Sequence, residues 1–298
     1  MRADGSPLYT LAVAVDDVLM KITHVLRGED LLSSTPRQIR VYQAMGVAVE
    51  DFPLFAHLPF VMGQDNAKLS KRNGEVSIAW YRESGFLPEA ICNYLALLGW
   101  SPGDDREDVS MSELVELFVL ERVNSSPARF DMKKLEAING EKIRNLTLDD
   151  FLSRALPFLL KDGVVSGKDE ELKVLRQALP IIQERIARMN EVSAMLKFLF
   201  TDEISFDQEA SAALSNEQAK AVIAKSLEVL QGVDDWSHGA IEAKLREALI
   251  DQMALKPRLA FSPVRIAVTG SHISPPLFES MELLGKQRCI SRLNAAVS

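Results

Sequence analysis

The chain has 298 residues, enough for two domains that each bury a core. With 47% hydrophobic and 26% charged residues, and only 15 glycines and 13 prolines, its composition excludes a disordered or fibrous chain. A net charge of −8 excludes a protein that coats nucleic acid indiscriminately, and no DNA partner is expected.

No apolar run approaches the roughly 18 residues needed to span a bilayer, and the N-terminus lacks the basic-then-apolar layout of a signal peptide. A cytoplasmic protein without a membrane partner is expected. The two cysteines, Cys92 and Cys289, belong to no Cys-x-x-Cys pair and have no histidine at ligand spacing. Buried free thiols are expected in preference to a disulfide, and no structural metal.

In chain order, residues 8–15, 23–26 and 57–62 are short apolar runs bounded by Gly, Pro and Asp, as buried strands are. Between the last two, Ser34 is an N-cap candidate and Pro36 a first-turn proline, followed by Ile39, Tyr42 and Met45 at helical spacing. That order of strand, helix and strand is of α/β type.

From Ser77 onward the apolar patterns take a helical period. Leu148, Phe151, Leu152, Ala155, Leu156 and Leu159 form one stripe, and Leu172, Leu175, Leu179, Ile182 and Ile186 the next. Others follow at Val192, Met195, Leu196 and Leu199, at Val222, Ile223, Ser226, Leu227 and Leu230, and at Ile241, Leu245, Ala248 and Leu249. The expected fold class is therefore α/β followed by all-α. Residues 1–75 form the α/β part, 76–145 a helical connector and 146–298 a helical domain with loops at 162–168 and 232–239. No internal repeat is found. The last 43 residues are locally basic, with six Lys or Arg against two Glu.

The segment richest in chemistry is Lys68-Leu69-Ser70-Lys71-Arg72, three cations in a polar stretch after an apolar run. Two lysines three apart on a loop can both reach one polyphosphate, where negative charge moves onto the leaving oxygens during transfer. Taken alone, such a cluster is more often a solvated surface patch.

The surrounding text weighs against the bland reading. Asp4-Gly5-Ser6-Pro7-Leu8-Tyr9, Val15-Asp16-Asp17, Ile22-Thr23-His24-Val25-Leu26-Arg27-Gly28-Glu29-Asp30, Ser34-Thr35-Pro36-Arg37-Gln38 and the Lys68–Arg72 loop resemble bacterial-type glutamyl-tRNA synthetases in order and spacing. The likeness continues through Gly85-Phe86-Leu87-Pro88-Glu89-Ala90, Asn93 to Trp100, and Phe130-Asp131 to Asn139-Gly140. It reaches Thr269-Gly270-Ser271 and Leu284-Gly285-Lys286, so it covers essentially the whole chain.

The resemblance implies the C-terminal half of a Rossmann-like class I catalytic domain followed by an α-helical anticodon-binding domain. It implies that Lys68 and Lys71 are catalytic and hold ATP phosphates, with Leu69, Ser70 and Arg72 completing the ATP-binding loop. Tyr9 and Arg27 match positions that line the glutamate pocket, where a guanidinium suits a carboxylate and a phenol adds a directional bond. Read from the residues alone, Tyr9 is more often a half-buried strand aromatic and Arg27 a partner of Glu29 or Asp30. Val13 stands where some members carry a polar residue and is not counted in the site. His24 and His57 lie in apolar runs with no nucleophile nearby, and are expected to be structural.

In the helical part, Arg185 matches a position that reads the third anticodon base, and Arg265, Ser274, Pro275 and Leu277 match others around the anticodon. The implied activity is a glutamate–tRNA ligase using ATP, with Mg2+ accompanying the nucleotide, and glutamate and tRNA(Glu) as partners of a monomer. The first class I signature, of His-x-Gly-His type, has no counterpart in the sequence. The chain is therefore expected to be an N-terminally truncated ligase, inactive alone. The alternative is a non-catalytic tRNA anticodon-binding module. A glutaminyl-tRNA synthetase is disfavoured because that family ends in β-barrels, and the short synthetase-like enzyme that modifies a tRNA base has no such helical domain.

Overall fold

The structure, a computed structural model, describes residues 2–63, 69 and 77–297, and the chain divides into two compact units. The first comprises residues 1–80 and 89–138; the second comprises residues 81–88 and 139–298.

The first unit begins with helix α1 (Tyr9–Leu19), strand β1 (His24–Gly28), helix α2 (Thr35–Ala44) and strand β2 (Leu54–Leu58). The strands pair in parallel, His24 opposite Leu54 and Gly28 opposite Leu58, with α2 in the crossover. This is the expected strand, helix, strand order, and parallel pairing requires such a long connection. Helix α2 starts at Thr35, with Pro36 in its first turn, where a missing N–H costs nothing; Ser34 occupies the N-cap but makes no side-chain cap bond.

Two strand expectations need correction. Residues 8–15 are not a strand but most of α1, which starts behind Pro7 and ends where Lys21 takes a left-handed φ of 57°. Residues 8–15 hold a single polar residue, Thr10, too few to declare a period that separates helix from strand, and Asp16 and Asp17 lie within the helix rather than ending the element. The strand expected at 57–62 is shifted to Leu54–Leu58, because Pro59 has no N–H for the ladder. Beyond it, Met62 forms only an isolated bridge with Arg129.

Helices α3 (Ile78–Glu83), α4 (Pro88–Gly99), α5 (Met111–Leu117) and α6 (Met132–Arg144) follow. In the first unit Trp100, Val109 and Leu114 form a small core, and the Tyr94 hydroxyl accepts the Asp131 N–H at 2.5 Å. Cys92 on α4 is exposed, contrary to expectation, and Cys289 is buried; both are free. Cys92 follows Ile91 on an amphipathic helix whose buried face is taken by Ala90, Asn93 and Tyr94, which turns the thiol to the other side.

The second unit is helical throughout, as the periodicity predicts: α7 (Leu148–Lys161), α8 (Asp169–Gln183), α9 (Glu191–Phe200), α10 (Gln208–Ser215), α11 (Glu217–Gln231), α12 (His238–Arg246), α13 (Pro257–Thr269), α14 (Leu277–Leu284) and α15 (Lys286–Val297). The residues between α7 and α8 are the expected loop at 162–168; the loop expected at 232–239 is shorter, because α12 already begins at His238. Phe151 and Leu159 of α7, Leu175, Leu179 and Ile182 of α8, and Val192 and Leu196 of α9 are fully buried. Burying each such side chain contributes about 1.5–3 kcal/mol.

Two polar devices fix this unit. Buried Asn139 accepts the Leu87 N–H at 2.7 Å and donates to the Ala187 carbonyl at 2.5 Å. This seats the segment 81–88, where Gly85 has a φ of 83° and a Cβ would come within 2.4 Å of the Asn190 nitrogen. At the end of α9, Arg288 donates to the Leu199 carbonyl at 2.7 Å and Arg292 to the Phe198 carbonyl at 2.8 Å. Arg292 also reaches the Val268 carbonyl in α13 at 2.7 Å. Cations at the C-terminal carbonyls satisfy orphan acceptors and oppose the helix dipole.

Candidate functional sites

In the first unit, the sequence candidates Arg27 and Tyr9 fall on β1 and at the first position of α1. Arg27 lies toward the C-terminal end of its strand, the end at which parallel α/β sheets bind ligands. Its Nη2 donates to Thr35 Oγ1 and to Gln38 Oε1, both at 2.7 Å, and its Nε approaches His57 Nε2 at 3.3 Å. The expectation that Arg27 pairs instead with Glu29 or Asp30 is not what these bonds describe. The guanidinium lies 5.5 Å from the centre of the Phe55 ring. Among the described residues its Nη1 has no partner, nor does Nε2 of Gln38, which is 0% exposed.

Tyr9 is 50% exposed. Its phenol lies close enough to Tyr42 to add to the upward push on that residue's pKa. Burial is the main cause of that push, followed by the 2.8 Å bond that the Tyr42 hydroxyl donates to Asp17. Tyr9, Arg27 and Tyr42 thus share one electrostatic neighbourhood. His24 begins β1 with an exposed ring whose Nδ1 is 3.0 Å from its neighbour Thr23. A cavity of about 820 Å³ opens at the opposite, N-terminal ends of the strands, between Asp17, His24, Tyr42 and Leu54. The donors of Arg27 are not part of its lining, so its volume says nothing about carboxylate binding.

Of the residues around Arg27, Thr35 and Gln38 have no role assigned from the sequence, and His57 is expected to be structural. A signal was present: Thr35, Gln38 and Tyr42 recur at three and four on α2, a polar stripe on a face that packs inward. Lys68, Ser70, Lys71 and Arg72 lie outside the described residues. Leu69 of the same loop donates its N–H to the Val61 carbonyl at 3.0 Å.

In the second unit, Arg265 on α13 donates from Nη1 to Ser274 Oγ at 2.5 Å and to the Pro275 carbonyl at 2.7 Å. The turn between α13 and α14 begins at Gly270, whose φ of 81° caps α13 through a bond to the Ile266 carbonyl. Burial lowers the Arg265 pKa, and the nearby Arg185 guanidinium lowers it further, while Glu279 acts the other way. Arg185 is exposed just beyond α8. The structure therefore groups Arg185, Arg265, Ser274 and Pro275. Leu277 is adjacent in sequence but 3% exposed, so its side chain belongs to the core. Two neighbouring cations beside a turn can take a phosphate or the acceptor edge of an unstacked base.

Among the described residues no group of three or more His, Cys, Asp or Glu is arranged to hold a metal ion, and no helix is long and apolar enough to cross a membrane.

Comparison with known proteins gives these groupings a context. The family model for tRNA synthetases class I (E and Q), catalytic domain, matches residues 1–137, and the model for the anticodon binding domain matches residues 150–297. Glutamate–tRNA ligases from Nocardioides sp. and Rhodococcus jostii are both 52% identical to the chain, and that of Saccharopolyspora erythraea 49%. Each alignment takes in 99% of this chain and between 60% and 62% of the relative. Two crystal structures superpose on it at 30% identity. A glutamate tRNA ligase from Elizabethkingia meningosepticum, in complex with its amino acid, has a TM-score of 0.81. The synthetase from Elizabethkingia anophelis has a TM-score of 0.79. All of this chain and 61% of each of those chains is covered. The chain thus spans about three-fifths of the length of the relatives it matches.

Proposed function

Because the chain belongs to the class I tRNA synthetases of the glutamate and glutamine (E and Q) type, we propose that it forms the larger part of a glutamate–tRNA ligase. The observation that carries this reading is identity near 50% with glutamate–tRNA ligases along 99% of the chain, which favours glutamate over glutamine as the amino acid.

In the proposed reaction a glutamate α-carboxylate oxygen attacks the α-phosphorus of ATP and pyrophosphate leaves. The terminal ribose hydroxyl of tRNA(Glu) then attacks the glutamyl carbonyl and AMP leaves. Lys68 and Lys71, with Leu69, Ser70 and Arg72 shaping the loop, stabilise the charge that develops on pyrophosphate. Mg2+ enters with the nucleotide and has no assigned protein ligand. Arg27 binds the glutamate side-chain carboxylate and Tyr9 adds a hydroxyl. Arg185, Arg265, Ser274 and Pro275 read the anticodon arm, Leu277 supporting them from the core. Residues 1–75 supply part of the catalytic domain, 76–145 a helical connector that contacts the tRNA stem, and 146–298 the anticodon-binding domain of a cytoplasmic monomer.

The test joins the chain to the remaining two-fifths of a relative and measures charging of tRNA(Glu). Lys71→Ala is expected to slow adenylate formation by about 10²-fold or more with a smaller effect on ATP binding, because the contact strengthens as charge develops. Absence of glutamate charging would overturn the reading. The 298 residues alone, which contain no His-x-Gly-His segment, are expected to give no glutamate-dependent pyrophosphate exchange. Exchange above that of a Lys68→Ala, Lys71→Ala double variant would contradict this.

A further inference from the structure

We propose that Thr35, Gln38 and His57 are positioning residues that lock the Arg27 guanidinium, leaving its Nη1 edge as the one that meets the side-chain carboxylate of glutamate. The proposal rests on the assignment of Arg27 to glutamate made above. What it adds is how a single arginine distinguishes a carboxylate from the isosteric amide of glutamine.

A guanidinium has five N–H donors in a rigid plane and no acceptor. Two belong to Nη2, and both find strong acceptors at 2.7 Å, in Thr35 Oγ1 and Gln38 Oε1; the Leu31 carbonyl at 3.4 Å is a weak third contact. The Nε proton points to His57 Nε2 at 3.3 Å. Thr35 Oγ1 also lies 3.1 Å from His57 Nε2. Having accepted from Arg27, the Thr35 hydroxyl directs its own hydrogen to that ring nitrogen. His57 Nε2 must therefore carry a lone pair, which puts the ring proton on Nδ1. The same logic orients Gln38: facing a pure donor, its amide presents oxygen.

Two edges of the guanidinium are thus occupied by acceptors on α2 and β2, and the plane lies against Phe55. Nη1 and the Gln38 amide nitrogen remain, buried and with no partner among the described residues. Both are donors only. A buried cationic donor without an acceptor is costly, and a carboxylate, which accepts through both oxygens, relieves that cost. A glutamine amide brings one acceptor and two more N–H donors. A guanidinium free to turn could accommodate it, whereas one held on two edges cannot. The cage is therefore a specificity device, distinct from simple support of the strand.

The test uses the chain joined to the remaining two-fifths of a relative, as above, and follows binding of L-glutamate and, separately, L-glutamine by NMR. The arginine side-chain 15N signals report whether rotation of the Arg27 guanidinium is slow. The wild type is expected to bind glutamate in preference to glutamine and to show slow rotation. Thr35→Val, which keeps the shape and removes the hydroxyl, is expected to weaken glutamate binding roughly tenfold, as loss of one charge-assisted bond would. It should also shrink the glutamate-to-glutamine ratio and speed the rotation. Thr35→Ser is expected to restore all three, and Gln38→Met to repeat the loss independently.

If the wild type binds no glutamate, the assignment of Arg27 itself fails and the proposal with it. If the wild type binds and selects but Thr35→Val and Gln38→Met leave both rotation and ratio unchanged, the assignment stands and the positioning role is overturned. Equal weakening for glutamate and glutamine, or loss of the native spectrum in both variants, would reduce the three side chains to structural supports and likewise overturn it.

Discussion

Removing the Asn139 side chain is expected to destabilise the second unit by more than its exposed area could explain. Its Oδ1 is the acceptor for the Leu87 N–H and its Nδ2 the donor to the Ala187 carbonyl; a longer contact at 3.4 Å reaches the Gly85 carbonyl. The Gly85 carbonyl also accepts the Met189 N–H at 2.9 Å and stays satisfied without Asn139. Asn139→Ala therefore strands one N–H and one carbonyl in the interior. At about 1–3 kcal/mol each, the loss centres on about 4 kcal/mol. For a unit of this size that lowers the melting temperature by about 8–16 °C. Differential scanning calorimetry of the whole chain reads the shift.

Asn139→Asp adds a pH signature to that loss. A carboxylate there would face the Ala187 and Gly85 carbonyls, so its pKa in the folded chain would lie above the free value of about 3.9. Stability conferred by the neutral acid, which can still donate to Ala187, is present below the free pKa and is lost as pH rises through the folded value. The variant should melt near the wild type at pH 3 and well below it at pH 7. A loss under about 0.5 kcal/mol for Asn139→Ala, or a pH-independent defect for Asn139→Asp, would refute this account of how the segment 81–88 is seated.

Three further outcomes are expected. Arg185→Gln should reduce discrimination among RNAs differing at the third anticodon base by roughly 1–3 kcal/mol, with little change in salt dependence; filter binding would expose a phosphate contact instead if all variants weaken equally. His238, bonded to Glu282 at 2.8 Å, has its pKa raised mainly by that bond. The stabilisation is fully present below about 6.5 and fades as pH rises through the folded value, so melting curves of His238→Asn should converge on those of the wild type at alkaline pH. In a native thiol assay Cys92 should react at once. Cys289, buried and pushed up to about 12, should react only on unfolding; two fast thiols would contradict the burial.

The helical half was legible because its stripes are long: from Leu148 to Leu159, or from Val222 to Leu230, enough turns pass for a period to declare itself. The opening α/β part was legible only in outline. The eight residues from Leu8, apolar except for Thr10, carry no clear period, and whether they coil or extend depends on what the rest of the unit leaves for them to cover. Pro59 was the overlooked mark that shifted β2. At the site, Arg27 was singled out by resemblance, while its cage was not. Thr35 and Gln38 come from one helix and His57 from a strand 19 residues beyond Gln38, a convergence that chain order does not display. Leu277 shows the converse, a position chosen by motif whose side chain turns inward.

The division of the chain has a consequence for anyone wishing to cut or recombine it. The polypeptide changes units three times, after residues 80, 88 and 138, because the short stretch 81–88 is lodged among residues that come 50 to 100 positions later. A single splice at 139 or 146 therefore does not yield an intact helical module. Either cut removes Gly85 from Met189; the cut at 139 also parts Leu87 from Asn139, and the cut at 146 parts Asn139 from Ala187. A self-sufficient helical fragment has to carry its own eight-residue plug, appended as a separate strip or reconnected through a permuted terminus. Exchange of this module between related proteins would require two matched junctions rather than one.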